Sequence, residues 1–194
     1  HINSMTATQY LLSLNTLRFL KNFYVKGDTL EVLANQFCDY YEYHNRKEVF
    51  FSYGHDGNIT HANSKLTYAQ EFSIILEKRG WIVHMSMDKV PLTQMERYLI
   101  WAKVLKNTAD HKEGKQVDTS LPLVEFNLDN CNETFISMQN APAKEGRNGI
   151  EKNKSSERNQ LIPQEEATHL SDTADTNLCA ILNDPFSTLP PFIG

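Results

Sequence analysis

The feature that most constrains this chain is an apolar pattern that changes period several times along its length. Met5 to Leu12 and Leu14 to Val25 are rich in Leu, Phe, Tyr and Thr, and Lys26-Gly27-Asp28 interrupts them. This opening predicts two strands joined by a tight turn near Ser13 to Asn15. Helical spacing follows: Asp28 and Glu31 form a cap signature, and Leu30, Leu33, Ala34, Phe37 and Tyr41 recur on one face. Val49 to Tyr53 reads as a buried strand ending at Gly54, with a polar loop from Gly57 to Lys65 behind it. Thr67 can cap a second helix that carries Tyr68, Phe72, Ile75 and Leu76 inward and stops at Gly80. Trp81 to Met87 reads as a strand, and Pro91 opens a third helix with Met95, Tyr98, Leu99, Ala102 and Leu105 as its inner face. Asn107 to Ser120 reads as a loop, Leu121 to Phe126 as a short strand and Asn132 to Gln139 as a short helix. Ala141 to Gln164 is nearly devoid of large apolar residues and reads as a long polar loop, of the kind that serves function. A last helix spans about Thr168 to Leu182, and Asp184 onward is a Pro-rich tail. Strands alternating with helices after an opening hairpin predict an α/β domain with a mixed sheet.

At 194 residues and 40% hydrophobic, the chain is sized for one domain around one sizeable core. A net charge of -5 excludes a uniformly basic, nucleic-acid-coating surface, so any DNA contact must be local. Cys38, Cys131 and Cys179 are few, odd in number and far apart, which indicates neither a disulfide framework nor a structural zinc site and fits a reducing compartment. No apolar run reaches the roughly 20 residues needed to span a bilayer, and the N-terminus lacks a signal-peptide layout. A soluble intracellular protein without a membrane partner is expected. Starting at His1 and already apolar within ten residues, the sequence reads as a fragment of something longer. No Gly-x-x-x-x-Gly-Lys-Ser/Thr phosphate loop occurs in it, which excludes ATP hydrolysis by that route.

The chemistry concentrates in Thr168 to Thr176. On a helix, Asp172 and Asp175 lie one turn apart on one face, with His169 a turn before, and two such carboxylates repel by a few tenths of a kcal/mol. Either a divalent metal or a helix N-terminus offsets that cost; the first makes a hydrolytic site, the second an ordinary helix start. Asp56, with His55, is a second candidate ligand at a strand end, where Asp-Gly and Gly-Asn pairs also serve plain turn chemistry. His169 reads more readily as a packing or capping residue, His61 as loop filler, and Trp81 and Trp101 as core. Tyr40, Tyr41 and Tyr43 either stack on bases or flank a helix end. Lys144, Arg147, Lys152, Lys154 and Arg158 form a basic run interleaved with Glu145, Glu151 and Glu157: a solvated loop, or backbone contacts to DNA.

Three local patterns, Phe51 to Asn58 at a strand end, Ile150 to Arg158 in the polar span and Ala167 to Thr176 opening the last helix, together resemble the C-terminal nuclease domain of phage terminase large subunits, in the version found in phages and prophages of Bacteroides-like bacteria. The resemblance extends over nearly the whole chain and rests on the order and spacing of the patterns. It implies an RNase H-like mixed β-sheet flanked by α-helices, holding two Mg2+ or Mn2+ ions on acidic residues and cutting concatemeric double-stranded DNA during packaging in the bacterial cytoplasm. Two such ions about 3.5 to 4 Å apart activate water and stabilise the leaving oxygen of a phosphodiester. Carried over, the acid of the last helix matches Asp172, with Asp175 beside it, and Lys152, Lys154 and Arg158 fall where DNA-backbone contacts are expected. The family's second acid directly follows a Tyr at the end of the strand beginning at Val49; Gly54 stands there, and Asp56 is the nearest substitute, two residues or roughly 6 to 7 Å along an extended chain. The family's first-strand acid is expected just before the His1 to Gln9 segment, so it is cut off or lost from this chain, and the resemblance implies an ATPase domain upstream; the portal and the small terminase subunit are further implied partners. The alternative is a catalytically silent RNase H-like module for DNA or portal docking, or a different RNase H-like enzyme such as a resolvase or transposase.

Overall fold

A computed structural model describes residues 3–27, 29–60, 65–87, 92–146 and 149–182. His61, Arg147 and the tail, on which expectations also fell, lie outside them, as do Asp28 and Pro91. The chain opens as expected on a hairpin, β1 (Ser4–Leu11) and β2 (Thr16–Tyr24), turned through Asn15, whose left-handed φ of 44° an Asn side chain tolerates. A register shift between Ala7 and Thr8 marks a bulge in β1. Helix α1 (Leu30–Tyr40) is capped by Thr29, whose hydroxyl accepts the Val32 N–H. Strand β3 (Glu48–Tyr53), helix α2 (Tyr68–Lys78) and strand β4 (Ile82–Met87) follow, and α2 has a full capping box of Thr67 and Gln70.

Helix α3 (Gln94–Lys112) departs from the sequence reading in two ways. It runs on through the stretch read as the start of a loop at Asn107, because Asn107 and Thr108 are buried with their polar atoms satisfied: Asn107 exchanges bonds with the Asp118 backbone, and Thr108 donates to Val104 and accepts the Val124 N–H. Its inner face is Trp101, Val104, Asn107 and Thr108, whereas Met95, Leu99 and Leu105 of the expected face are 41%, 53% and 44% exposed. Trp101 outweighs the smaller residues in choosing which stripe turns inward, since burying an aromatic ring removes far more apolar surface than burying a Leu.

Strand β5 (Leu123–Phe126) leads into α4 (Leu128–Gln139), which begins earlier than expected and is broken at Cys131, with φ -132°. The span read as a long polar loop from Ala141 to Gln164 is instead an ordered hairpin, β6 (Ala143–Gly146) and β7 (Gly149–Lys152), followed by two 3-10 turns at Ser155–Arg158 and Gln164–Glu166. Helix α5 (His169–Leu182) closes the described chain.

The result is a mixed α/β architecture of five helices and small sheets among the described residues. β1, β2 and β5 form one sheet, in which β2 pairs antiparallel with β1 and parallel with β5; β3 and β4 pair in parallel; among the described residues β6 and β7 pair only with each other. Two apolar clusters share β2. Phe23 and Val25 join Leu33, Phe37, Phe72, Leu76 and Trp81 beneath α1 and α2, with Phe51 and Val83 of β3 and β4 packed against them. Leu17 and Phe19 join Trp101, Val104, Val124, Ala174 and Leu178 beneath α3 and α5. Among the described residues no helix is long and apolar enough to cross a membrane.

Candidate functional site

Helix α5 turns Leu170, Ala174 and Leu178 into the core at helical spacing, each 1% exposed or less. The residues one position on, Ser171 and Asp175, are thereby drawn inward too, while Asp172 stays at the rim with 39% of its side chain exposed. The start of the helix is tied down by side chains: the Ser171 N–H donates to Ser137 Oγ at 2.9 Å, Ser137 donates to the Ala167 carbonyl, and the Thr168 hydroxyl donates to the Glu157 carboxylate.

The carboxylate pair has a partner that neither sequence reading weighed. Lys152, the last residue of β7, is 8% exposed, and its Nζ lies 2.7 Å from Asp172 Oδ1, 2.8 Å from Asp175 Oδ2 and 3.0 Å from Ser171 Oγ. An ammonium has three protons, and here each finds one acceptor. The remaining carboxylate oxygens are also occupied. Asp172 Oδ2 accepts from Lys154 at 2.8 Å, Asp175 Oδ1 accepts the Trp101 indole N–H at 2.9 Å, and Arg97 stands 3.9 Å from Asp175 Oδ2. Glu157 lies 3.6 Å from Lys154, so three carboxylates, Asp172, Asp175 and Glu157, face three cations, Lys152, Lys154 and Arg97. A neutral, fully paired cluster of this kind is how buried charge is tolerated at all. An apolar cavity of about 370 Å³, walled by Tyr98, Trp101, Leu105, Phe126, Phe135 and Met138, opens beside Lys152 and Asp175.

Burial pushes the Asp172 carboxyl up, but Lys152 and Lys154 outweigh it and hold the group below the ordinary carboxylate value of about 4. The sign follows: a depressed carboxylate contributes stability that is full above its unfolded value and lost as pH falls through the folded one. Asp172→Asn is therefore expected to flatten the loss of stability with acid below about pH 4, measured as urea midpoints at neutral and acid pH. Equal acid losses in the two proteins would show that Asp172 is not paired in solution.

The other expected site residues lie on other elements. Asp56 is exposed in a 3-10 turn, His55–Asn58, directly after β3, and its carbonyl accepts the Ile59 N–H. Gly57 is required in that turn, because a Cβ there would meet the Tyr53 ring at 2.5 Å. The structure brings Asp172 and Asp175 together, and among the described residues no three His, Cys, Asp or Glu side chains gather to hold a metal. His169 stacks on Tyr24 with ring centroids 6.3 Å apart, a packing role. Of the residues expected on DNA, Lys152 points inward, whereas Lys154 and Arg158 are exposed. Arg97 was missed outright, and Trp101, read correctly as core at 6% exposed, carries a polar duty as well.

No protein-family model matches the chain, and no curated protein or solved structure matches it.

Proposed function

We propose that this chain is an RNase H-like endonuclease domain of a viral DNA-packaging terminase, cutting concatemeric double-stranded DNA by divalent-metal-assisted phosphodiester hydrolysis. The observation that carries the reading is the pair Asp172 and Asp175, whose oxygens converge on one cation position at the start of the last helix. Hard carboxylate oxygens suit Mg2+ or Mn2+, and Mg2+ is commonly held by one or two carboxylates with water and substrate phosphate completing its shell. The donor set therefore fits one ion. A second ion needs further donors, for which Asp56 and a first-strand acid are the candidates. An ion bound there would lower the pKa of a bound water and neutralise charge developing on the scissile phosphate. Asp172 would orient it from the rim, Asp175 from the buried side, and the exposed Lys154 and Arg158 would hold the flanking backbone phosphates.

The sheet arrangement supports the same reading. β1 and β3 each keep one edge unpaired among the described residues, and α5 packs on both, as it would beneath one mixed sheet completed by a strand between them.

The test is nicking of supercoiled plasmid by the chain in Mn2+, with Asp172→Ala as control. Metal-dependent nicking lost in the variant is the expected result; no nicking, together with no change in melting temperature on adding Mn2+, overturns the reading. A catalytically silent module for DNA or portal docking is the second reading, favoured by Gly54 where an acid is expected. A side chain at Gly54 meets open space, so Gly54→Asp is sterically free. A nuclease scaffold gains Mn2+ affinity from that change, and a docking surface does not.

A further inference from the structure

Lys152 stands where the ion of the proposed nuclease would stand. Its nitrogen is 2.7 to 2.8 Å from one oxygen of each aspartate, and a Mg2+ ion would need those same oxygens at about 2.0 to 2.1 Å. The two cations exclude each other. Along β6 and β7 Lys152 is the sole buried residue among the described residues, and there the strands pair with no other sheet; besides Lys152, β7 packs on α3 and the Tyr98 hydroxyl donates to the Ala141 carbonyl ahead of β6. A two-stranded hairpin alone is marginal in water, so the buried Lys152 ion pairs help to hold this one on α5.

We infer that Lys152 is a latch: its ammonium plugs the carboxylate pair and pins the β6–β7 hairpin over it, and a divalent cation binds only by displacing the amine and releasing the hairpin. This inference rests on the nuclease reading of the same pair. Charge gives the latch a direction. With Lys152 seated, the cluster is neutral; with a divalent ion in its place, the cluster carries one excess positive charge, complementary to a phosphodiester. Ion loading and DNA binding then favour each other, because an anionic backbone at the rim also attracts the displaced ammonium.

The probe is Mn2+ alone, with free ion followed by electron paramagnetic resonance, added to the 194-residue chain and to Lys152→Met, Lys152→Arg and Asp172→Asn. Removing the competitor raises the apparent affinity by the factor by which the plugged state dominates, so Lys152→Met is expected to bind Mn2+ at least about tenfold more tightly than the parent. Lys152→Arg, which keeps a cation, is expected to bind as weakly as the parent, and Asp172→Asn is expected to lose binding. Equal affinity in the parent and Lys152→Met, lost in Asp172→Asn, overturns the latch and leaves the nuclease reading standing. No Mn2+ binding by any form overturns both. A second measurement needs no variant: amide exchange across Gly149 to Lys152 in the parent is expected to speed up at saturating Mn2+, and unchanged exchange overturns the latch.

Discussion

Asp175→Ala is expected to destabilise the fold by about 3 kcal/mol, at the low end of the roughly 3 to 5 kcal/mol lost when one partner of a buried ion pair is removed. The low end applies because Lys152 keeps Asp172 and Ser171 after the change. What is lost is one of its two counter-charges, in a site where the ammonium is 8% exposed. The Trp101 N–H loses its acceptor as well, and the cost of that orphaned buried donor, about 1 kcal/mol or more, is part of that loss. For a chain of this size the melting temperature should fall by roughly 2 to 4 °C per kcal/mol. Urea unfolding of Asp175→Ala, Lys152→Met and the double variant completes a cycle, with a coupling of about 0.5 to 3 kcal/mol expected between groups in contact. Additive effects would mean that the amine and the carboxylate do not meet in solution.

The two explanations the sequence offered for the pair, a metal or a helix dipole, share a local view: each looks for compensation within a turn of the aspartates. The compensation came from Lys152, 20 residues upstream of Asp172, which is adjacent only because a hairpin and a pair of 3-10 turns fold back onto α5. Periodicity located every α-helix of the described chain, though not every end, since α3 runs on to Lys112 and α4 starts at Leu128; each buries a stripe and a stripe repeats. It failed where polar residues are buried: Asn107 and Thr108 extend α3 through a stretch read as loop, and Lys152 orders a hairpin whose strands have no other buried residue. Those positions are held by specific hydrogen bonds to distant backbone or carboxylates, and such pairings leave no periodic trace in a single sequence. β1 to β5 were legible as strands, and β1 with β2 as a hairpin, but the other partners were not, because pairing between β2 and β5 spans about a hundred residues of chain.

The choice of face on α3 is decided by two substitutions with opposite expected sizes. Phe19→Ala should cost about 3 to 5 kcal/mol, the range for removing a fully buried aromatic ring. Phe19 is 0% exposed, stacks on Phe126 with centroids 4.5 Å apart and lies 6.3 Å from the Trp101 ring. The vacancy would sit between β2, β5 and the inner face of α3, where secondary structure fixed on three sides limits collapse into it. Leu99→Ala, by contrast, should stay within about 0.5 kcal/mol of the parent, since Leu99 is 53% exposed. If the stripe through Met95, Leu99 and Leu105 were the buried one, Leu99→Ala would instead cost about 2 to 5 kcal/mol. Urea midpoints of the two variants separate these cases without reference to any activity. Phe19→Ala carries one further consequence: with its ring gone, Trp101 loses a wall, and its indole N–H is the group that fixes Asp175. The variant should therefore add its loss to that of Asp175→Ala by less than the sum of the two, because both changes release the same indole.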